Sequence, residues 1–353
     1  MTDLAHEPGL TPSYLASLAK LKVRVQTPQD TPLFTPAPRS PMTPVHWRWR
    51  ELASIVDELD QHLELTPGGG RRTLKLTNPG LEFGTTPTFW VSIQSILPGE
   101  VATAHRHTPT AFRYIMRGSG CVTTVDGETY EMTAGDLVLT PSWTWHDHVH
   151  HGDEPMVWMD VLDINLVRSL NAIFFEPYDR GVQDVSPIPD SSFRTLGAGL
   201  LRAGRATPEA RVNPMLAYPS SRTLEALELA RGLPADPVDD VIVEYTNPTN
   251  GGPALVSMGT KRQILRPEFD GVAQRHTGSK VYYVVSGSGV TQVDDARFEW
   301  TAGDFFSIPP WAVHRHSNPY DSEASLFRVD DHPTLDKLNL YREQTVDLAD
   351  VAP

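Results

Sequence analysis

The chain of 353 residues carries 30 Lys and Arg residues against 44 Asp and Glu residues, which gives a net charge of −14. A surface field of this sign repels polyanions, so nucleic acid is excluded as a partner. The sequence has no apolar run of membrane-spanning length, and its start lacks the basic and apolar regions of a signal peptide. We therefore expect a cytoplasmic protein with no membrane partner.

The N-terminal part of the chain, residues 1–84, is rich in turns and prolines. It contains one segment with helical periodicity, residues 50–65. We expect this part to form an N-terminal arm and a helical cover, and we expect the first barrel of the protein to occupy residues 85–165.

Short apolar runs ended by proline or glycine follow, and the whole chain has 31 prolines and 25 glycines. Such punctuation predicts many short strands joined by turns, so the fold class is mainly β. The clearest hairpin joins residues 121–125 to residues 128–132 through Asp126 and Gly127, because this dipeptide favours the positive φ angles of a type I′ turn.

The C-terminal half has three predicted parts. Residues 166–240 lack a comparable strand pattern and form an inter-barrel connection, with a helix at 221–232 for which Ser221 is the expected N-cap. A second barrel occupies residues 241–320. The C-terminal segment, residues 321–353, contains a predicted helix at 334–344.

Residues 99–150 and 268–318 share a series of turn residues in the same order. The offset is 169 residues and falls to 168 after the hairpin tips. The matched pairs are Gly118 and Gly287, Gly120 and Gly289, Gly135 and Gly303, Asp136 and Asp304, Pro141 and Pro309, Trp143 and Trp311, and His146 and His314. So many matches predict two homologous barrels.

The first copy contains a histidine pattern that resembles the two cupin motifs. Gly99 is followed by His105 and His107, and Gly135 is followed by Pro141 and His146. This resemblance implies a bicupin, with two tandem cupin barrels of the double-stranded β-helix, or jelly-roll, type and peripheral helices. Alternate strand residues share a face, so His105 and His107 both enter the lumen and His146 meets them from a later strand.

The position of the usual cupin glutamate falls on Ala111, so we expect a site of three neutral imidazoles. Such a site leaves three coordination positions open, which suits an anionic bidentate substrate together with O2 and favours Fe(II), one ion per chain in the first barrel. A His-x-His pair alone is more often two half-buried strand histidines. Here the glycines, the proline and the third histidine fit one metal-binding pattern, which favours the ligand interpretation.

The second copy has lost part of this pattern. Gln274, His276, Lys280 and His314 align with the ligand positions. One histidine is gone, and an ammonium group replaces the glutamate. We therefore expect the second barrel to lack the metal and to serve structure and assembly.

The runs at 104–120 and 125–148 resemble the gentisate 1,2-dioxygenase family, which includes salicylate and 1-hydroxy-2-naphthoate dioxygenases. The resemblance extends to 73–81, 90–94 and 156–163. Family members are Fe(II) bicupins, commonly tetrameric, that use O2 to open an aromatic ring between the carboxyl-bearing carbon and the adjacent hydroxyl-bearing carbon. The resemblance implies gentisate or a 5-substituted salicylate as substrate; the alternative is 1-hydroxy-2-naphthoate, which presents the same chelating edge.

The resemblance also implies roles for three residues near the metal. Arg113 is available to a substrate carboxylate or an oxygen intermediate, unless it forms an ordinary surface ion pair. His148 shares a strand face with His146 and is placed to orient substrate or to move a proton. Asp160 is expected to fix either that imidazole or Arg113.

Further substrate-binding residues are implied on the strands before the histidine pair. Trp90 and Gln94 share one strand face, which the resemblance directs at the substrate ring; ordinary barrel packing is an equal alternative for Trp90. Either Arg71 or Arg72 reaches the substrate carboxylate, and we favour Arg71.

Two other classes of bicupin compete with this interpretation. Metal-dependent decarboxylases and quercetin-type oxygenases generally keep the glutamate that is lost at Ala111. A storage or small-ligand-binding bicupin, which is not an enzyme, would tolerate loss of ligands at random. The first copy here is complete except at one defined position, which favours catalysis.

Overall fold

The computed structural model describes residues 11–27, 30–32, 34–64, 71–199 and 212–347. The chain divides into two compact units, residues 1–38 and residues 39–353. The smaller unit contains helix α1 (Pro12–Leu21), which the sequence analysis did not predict. The Thr11 hydroxyl accepts a hydrogen bond from the Tyr14 backbone N–H at 3.2 Å and so caps the first turn.

The larger unit holds the strands and the remaining helices. Its strands in chain order are β1 (Val45–Trp47), β2 (Arg72–Leu76), β3 (Trp90–Ile96), β4 (Val101–His107), β5 (Ala111–Arg117), β6 (Ser119–Val125), β7 (Glu128–Thr133), β8 (Leu137–Thr140), β9 (His146–His150), β10 (Met156–Leu162), β11 (Phe175–Pro177), β12 (Ala217–Tyr218), β13 (Val241–Glu244), β14 (Gly259–Leu265), β15 (Gln274–His276), β16 (Lys280–Ser286), β17 (Ser288–Val293), β18 (Ala296–Thr301), β19 (Phe305–Ile308), β20 (His314–Ser317), β21 (Ala324–Asp330) and β22 (Glu343–Thr345). Its helices are α2 (Trp49–His62), α3 (Ile164–Ser169), α4 (Ser191–Leu196), α5 (Ser220–Arg231) and α6 (His332–Lys337).

These strands form two barrels, each made of a six-stranded and a five-stranded sheet. The first barrel has the orders β12-β8-β5-β10-β3-β2 and β11-β4-β9-β6-β7. The second has the orders β1-β19-β16-β21-β14-β13 and β18-β17-β20-β15-β22. All of these pairings are antiparallel. The predicted bicupin architecture is confirmed.

The six-stranded sheets of the two barrels pack against each other through alternate residues of their strands. On β5, Phe112 and Tyr114 belong to the core between the barrels, and Tyr114 stacks on Phe327 with ring centroids 4.2 Å apart. The residues of β5 that alternate with these two, Ala111 and Arg113, therefore face the lumen of the first barrel. The same alternation on β3 and β10 decides which side chains reach the candidate site.

Turn geometry agrees with the predicted hairpin. Strands β6 and β7 are joined by Asp126 and Gly127, with φ angles of 45° and 81°. Two tryptophans, Trp143 and Trp311, also have positive φ, 65° and 66°. Cupins commonly have glycine at this position. Glycine is the usual residue there because it adopts a positive φ without steric cost.

The helices correct three details of the predictions. Helix α2 begins one residue before the predicted 50–65 and ends at His62, and residue 65 is outside the described ranges. Helix α5 confirms the predicted 221–232, but its N-cap is Pro219, so the assignment of Ser221 as the cap is wrong. Helix α6 is shorter than the predicted 334–344, because Asn339 takes a left-handed conformation with a φ of 57° and the chain then enters β22.

The connecting segments contribute strands to both barrels. Within 166–240, β11 pairs with β4 and β12 pairs with β8, so this connection extends both sheets of the first barrel. Strand β1 pairs with β19 of the second barrel, whereas β2 pairs with β3 of the first. The last long strand of the second barrel, β21, lies beyond the predicted boundary at residue 320.

Candidate active site

Three histidines converge in the lumen of the first barrel. His105 and His107 lie on β4, and His146 on β9 is the direct register partner of His105. One ring nitrogen from each residue lies within 4.8 Å of those of the other two. The structure therefore brings together the three residues that the sequence pattern selected.

Backbone carbonyls next to Nδ1 favour one tautomer of all three rings. The Nδ1 atoms of His105, His107 and His146 lie 3.1, 2.7 and 3.1 Å from the carbonyl oxygens of Thr103, Pro109 and Thr144. A carbonyl oxygen can only accept, so each Nδ1 carries the hydrogen and each Nε2 keeps its lone pair. Three lone pairs are thus available to one cation.

Electrostatics keep these imidazoles neutral. Burial, followed by the charge of Arg71, lowers the pKa of His105 to about 3. Burial lowers the pKa of His107 to about 4 and that of His146 well below its ordinary value. Neutral imidazoles are the form that binds a metal, so the donor set is ready at neutral pH.

The residues present fit a metal ion with open coordination positions. Within the described ranges, the buried Nε2 of His146 has no hydrogen-bond partner, which is costly unless a ligand satisfies it. Ala111, at the position of the cupin glutamate, is buried and brings no oxygen. The group of side chains that could hold the metal consists of the three histidines.

Arg113 and Asp160 form a buried pair beside this centre. The Arg113 Nε lies 3.5 Å from Asp160 Oδ1, and the Arg113 Nη1 donates to the Thr140 hydroxyl at 2.7 Å. The Gln94 amide donates to the other Asp160 oxygen at 2.9 Å. Burial lowers the pKa of Arg113 and raises that of Asp160, while their mutual attraction opposes both shifts and favours the ionised pair.

His148 lies buried in the same lumen. Its ring centroid is 6.4 Å from that of His146 and 5.5 Å from that of Trp158. Neither of its buried ring nitrogens has a hydrogen-bond partner among the described residues. The sequence left two possible partners for Asp160, His148 and Arg113, and the structure pairs it with Arg113. Burial, followed by Arg113, lowers the pKa of His148 well below its ordinary value, so its ring is neutral.

The two candidate arginines before β3 point to different places. The Arg71 Nη2 donates to the Thr103 carbonyl at 2.8 Å and lies 3.0 Å from His105 Nδ1. Arg72 is instead buried in an ion pair with Glu100. Arg71 is therefore the arginine beside the centre, and burial lowers its pKa to about 10, which leaves it charged at neutral pH.

Trp90 begins β3 on the same face as Gln94. Its ring lies 5.3 Å from that of Phe83, and the Lys75 ammonium sits 4.4 Å from its centroid. Phe83, Lys75 and the arginine partner Thr140 were not predicted from the sequence. For Lys75 on β2 and Thr140 on β8 the available signal was strand parity, which needs the register, whereas Phe83 lies outside the strands.

The aligned positions of the second barrel differ in chemistry. Rings of His276 and His314 lie 5.0 Å apart, and the Lys280 ammonium is 3.4 Å from His314 Nε2. Gln274 stands where the first barrel has His105. An ammonium thus occupies the space toward which the imidazoles converge.

Comparisons with known proteins agree with this geometry. A model of the cupin domain matches residues 92–162 and 261–330. The chain is 37% identical to 5-aminosalicylate 1,2-dioxygenase of Comamonas over 87% of this chain and 83% of the relative. It is 38% identical to gentisate 1,2-dioxygenase of Streptomyces, over 87% of each chain.

A solved structure extends the likeness to the whole fold. Salicylate 1,2-dioxygenase of Pseudoaminobacter salicylatoxidans, solved as an adduct with gentisate, superposes with a TM-score of 0.88 at 30% identity. The superposition covers 97% of this chain and 96% of that one.

In the described ranges, no helix is long and apolar enough to cross a membrane.

The fold and the site define a bicupin whose first barrel brings together three histidines that could hold a metal ion. In the described ranges no carboxylate joins these neutral imidazoles, so a bound ion would keep coordination positions open for an exchangeable group. With the relatives above, the chain belongs to the gentisate and salicylate 1,2-dioxygenase family, whose members are aromatic-ring-cleaving dioxygenases.

Proposed function

We propose that this protein holds one Fe(II) on His105, His107 and His146 and opens the ring of gentisate or a 5-substituted salicylate between the carboxyl-bearing and the adjacent hydroxyl-bearing carbon. The observation that carries the proposal is the neutral three-nitrogen face next to the buried Arg113. When bound, ferrous iron supplies the redox-active centre at which O2 and the substrate meet. The names of the relatives and the gentisate adduct support this substrate class.

The substrate carboxylate is the group that the site's arginines recognise. Arg71 and Arg113 are both buried or half-buried cations beside the histidines, and their positive field favours an anionic substrate. A guanidinium presents donors in a planar fork that matches a carboxylate. Asp160 and Gln94 act through Arg113: they hold its guanidinium in one orientation.

His148 and Trp90 complete the proposed site. The neutral His148 ring has a donor and an acceptor with no protein partner in the described ranges, so it can bind a substrate oxygen or move a proton there. Trp90 lies at the end of the same lumen face as Gln94 and would border the aromatic ring. The cytoplasmic location and the tetramer stay predictions of the sequence.

The decisive experiment is anaerobic loading with Fe(II), followed by measurement of O2 uptake with gentisate, salicylate, 5-aminosalicylate and 1-hydroxy-2-naphthoate and identification of the products. We expect one iron per chain and a ring-opened dicarboxylic acid from gentisate or a salicylate. A protein that stays free of iron and consumes no O2 with any of these acids would instead be a small-ligand-binding bicupin.

A pair of matched variants tests the ligand assignment. His146→Ala should lose both the iron and the turnover, because two imidazoles rarely retain Fe(II) against buffer. His314→Ala, at the aligned position of the second barrel, should keep one iron per chain and its activity. The measurements are iron content and O2 uptake, and an iron-loaded, active His146→Ala protein would refute the assignment.

A further inference from the structure

The second barrel contains a small cavity of about 80 Å³ on its lumen side. His276 and Lys280, which align with His107 and Ala111 of the first barrel, line this cavity together with Arg328. Gln274 also lines it, whereas His314 does not, so the cavity lies beside the place that corresponds to the metal centre. Its side chains have a different chemistry, and the proposed ring cleavage does not use them.

Lys280 is a buried cation without a counterion of its own. The residue is 5% exposed, and its ammonium lies 3.4 Å from the Nε2 of His314. In the part of the chain that the structure describes, no carboxylate oxygen lies within 4.0 Å of this ammonium, since Lys280 takes part in none of the ion pairs. A buried, unpaired charge is costly unless a ligand compensates it.

Three carboxylates also line this cavity, and each of them has a partner other than Lys280. Asp239 pairs with Arg328 at 2.9 Å. Asp330 pairs with Lys261 at 3.1 Å and with Arg328 at 3.2 Å. Glu343, which also lines the cavity, accepts a hydrogen bond from the Tyr341 hydroxyl at 2.9 Å. These carboxylates are therefore already engaged.

His276 offers a second polar group to the same cavity. The residue is 1% exposed, and neither ring nitrogen has a hydrogen-bond partner within the described ranges. Burial, followed by the charge of Lys280, lowers the pKa of His276 well below its ordinary value, so the ring is neutral and carries one N–H. A neutral N–H donor and an ammonium donor thus line the same cavity.

We propose that this cavity binds a small monocarboxylate anion of the size of formate or acetate, with the Lys280 ammonium and the His276 N–H as its donors. One water occupies about 30 Å³ in the liquid, so the cavity has room for two or three waters or one such anion, but not for an aromatic ring. A divalent metal is disfavoured there, because Lys280 repels it and Gln274 replaces a histidine ligand. Burial, followed by Arg328, lowers the pKa of Lys280 to about 7, and a bound anion would favour its charged form.

The test compares the thermal stability of the full chain in formate, acetate and the bulkier pivalate, each with the same cation at constant ionic strength. A ligand that binds the folded state raises the midpoint temperature in a saturable way. We expect formate and acetate to do so for the wild type but not for Lys280→Met. Lys20→Met, which removes an exposed ammonium, should behave like the wild type. Equal responses of all three proteins, or an equal response to pivalate, would overturn the proposal.

Bromide provides a direct readout, because it is a monoanion that can be located by anomalous diffraction. Crystals of the wild type soaked in sodium bromide should show an anomalous peak beside the Lys280 Nζ, and crystals of Lys280→Met should lack it. Absence of the peak in the wild type would overturn the proposal, and so would a second iron per chain bound at this place. Turnover of gentisate or salicylate should be unchanged in Lys280→Met, which separates this site from the proposed ring cleavage.

Discussion

Arg113 lies on β5 two residues after Ala111, on the face where the cupin pattern has its glutamate. The first barrel thus has Ala111 where the cupin pattern has an anionic ligand, and the buried cation of Arg113 lies nearby. Asp160 partly neutralises that cation from the neighbouring strand, at 3.5 Å. The result is a site that attracts an anionic substrate and leaves coordination positions open.

Replacement of Arg113 by Lys tests whether the planar guanidinium matters and not only the charge. We expect Arg113→Lys to keep one iron per chain and to lower kcat/KM by about 100-fold, since one misplaced charged donor commonly costs about 3 kcal/mol in a catalytic site. Iron content, steady-state O2 uptake and the thermal midpoint are the measurements.

The matched control for this variant is Arg117→Lys on the same strand. Arg117 is half-exposed and lies 3.4 Å from Asp57 at the surface, where an ion pair contributes little. We expect wild-type kinetics from it. Wild-type kinetics from Arg113→Lys as well would remove the guanidinium from the mechanism.

Single residues were predictable from the sequence where the argument needed one strand only. The period of two placed His105 and His107 on one face, whereas the place of Arg113 near them was implied by the family resemblance. The partner of Asp160 was not predictable, because the choice between His148 and Arg113 depends on how β10 pairs with β5. Likewise, Arg71 and Arg72 are neighbours in the sequence, and only the packed structure shows which one reaches His105.

At the scale of elements, the turn before β9 combines strain with a compensating contact. Trp143 has a φ of 65°, and its indole ring packs under the Arg106 guanidinium at 4.4 Å. The second barrel repeats the arrangement with Trp311 and Arg275 at 4.9 Å. Left-handed backbone at a residue with a side chain costs about 1–2 kcal/mol, and the cation–π contact offsets part of this cost.

Truncation of Trp143 separates the two contributions. Both Trp143→Ala and Trp143→Gly lose the indole contact, but only glycine also relieves the backbone strain. We therefore expect the glycine variant to be the more stable of the two by about 1 kcal/mol. The measurement is thermal unfolding of both proteins.

The neighbouring residue supplies the control, since Ser142 is not among the residues with positive φ. There we expect the usual order, with Ser142→Ala more stable than Ser142→Gly. The same order at both positions would mean that the φ of Trp143 carries no strain.

Elements were predictable where periodicity or turn chemistry was strong enough. The hairpin tip at Asp126 and Gly127 and the helices α2 and α5 are examples. Strands β11 and β12 were missed, because segments of two or three residues have no measurable periodicity and owe their conformation to the sheet that they join. The early end of α6 at Asn339 was missed because a left-handed residue leaves only a weak sequence signal.

At the scale of the whole molecule, two carboxylates at equivalent places join the barrels. Asp163 accepts from the Thr110 backbone N–H at 2.7 Å and from the hydroxyl of Ser257 in the other barrel. Asp331, at the offset of 168, accepts from the Ser279 backbone N–H at 2.8 Å. It also accepts from the hydroxyl of Thr88 at 2.7 Å. The duplication is thus visible in the contacts between the copies.

These carboxylates predict a dependence of stability on pH. Burial raises the pKa of Asp163 and of Asp331 from 3.8 to about 6. The folded state therefore binds their protons more tightly than the unfolded state does, so their contribution to stability is complete below pH 4 and is lost as the pH rises through 6. Between pH 7 and pH 5, each should add about 1 kcal/mol to the free energy of unfolding.

Asn substitution removes this dependence. We expect the difference in thermal midpoint between the wild type and Asp163→Asn to grow as the pH falls from 7 to 5, and likewise for Asp331→Asn. Asp179→Asn, at an exposed position, should show a constant difference. A difference that is constant, or that shrinks on acidification, for both buried positions would show that the carboxylates are not protonated in this range.

The crossing of the N-terminal strands has a practical consequence for dissection of this protein. Strand β1 completes a sheet of the second barrel before β2 enters the first, so the two copies are interlaced along the chain although their sequences lie in tandem. A cut in the inter-barrel connection would leave β1 in the N-terminal fragment, although this strand pairs with the second barrel. It would also expose to water the apolar faces through which the two six-stranded sheets pack. We therefore expect that neither of the duplicated halves folds as an independent module.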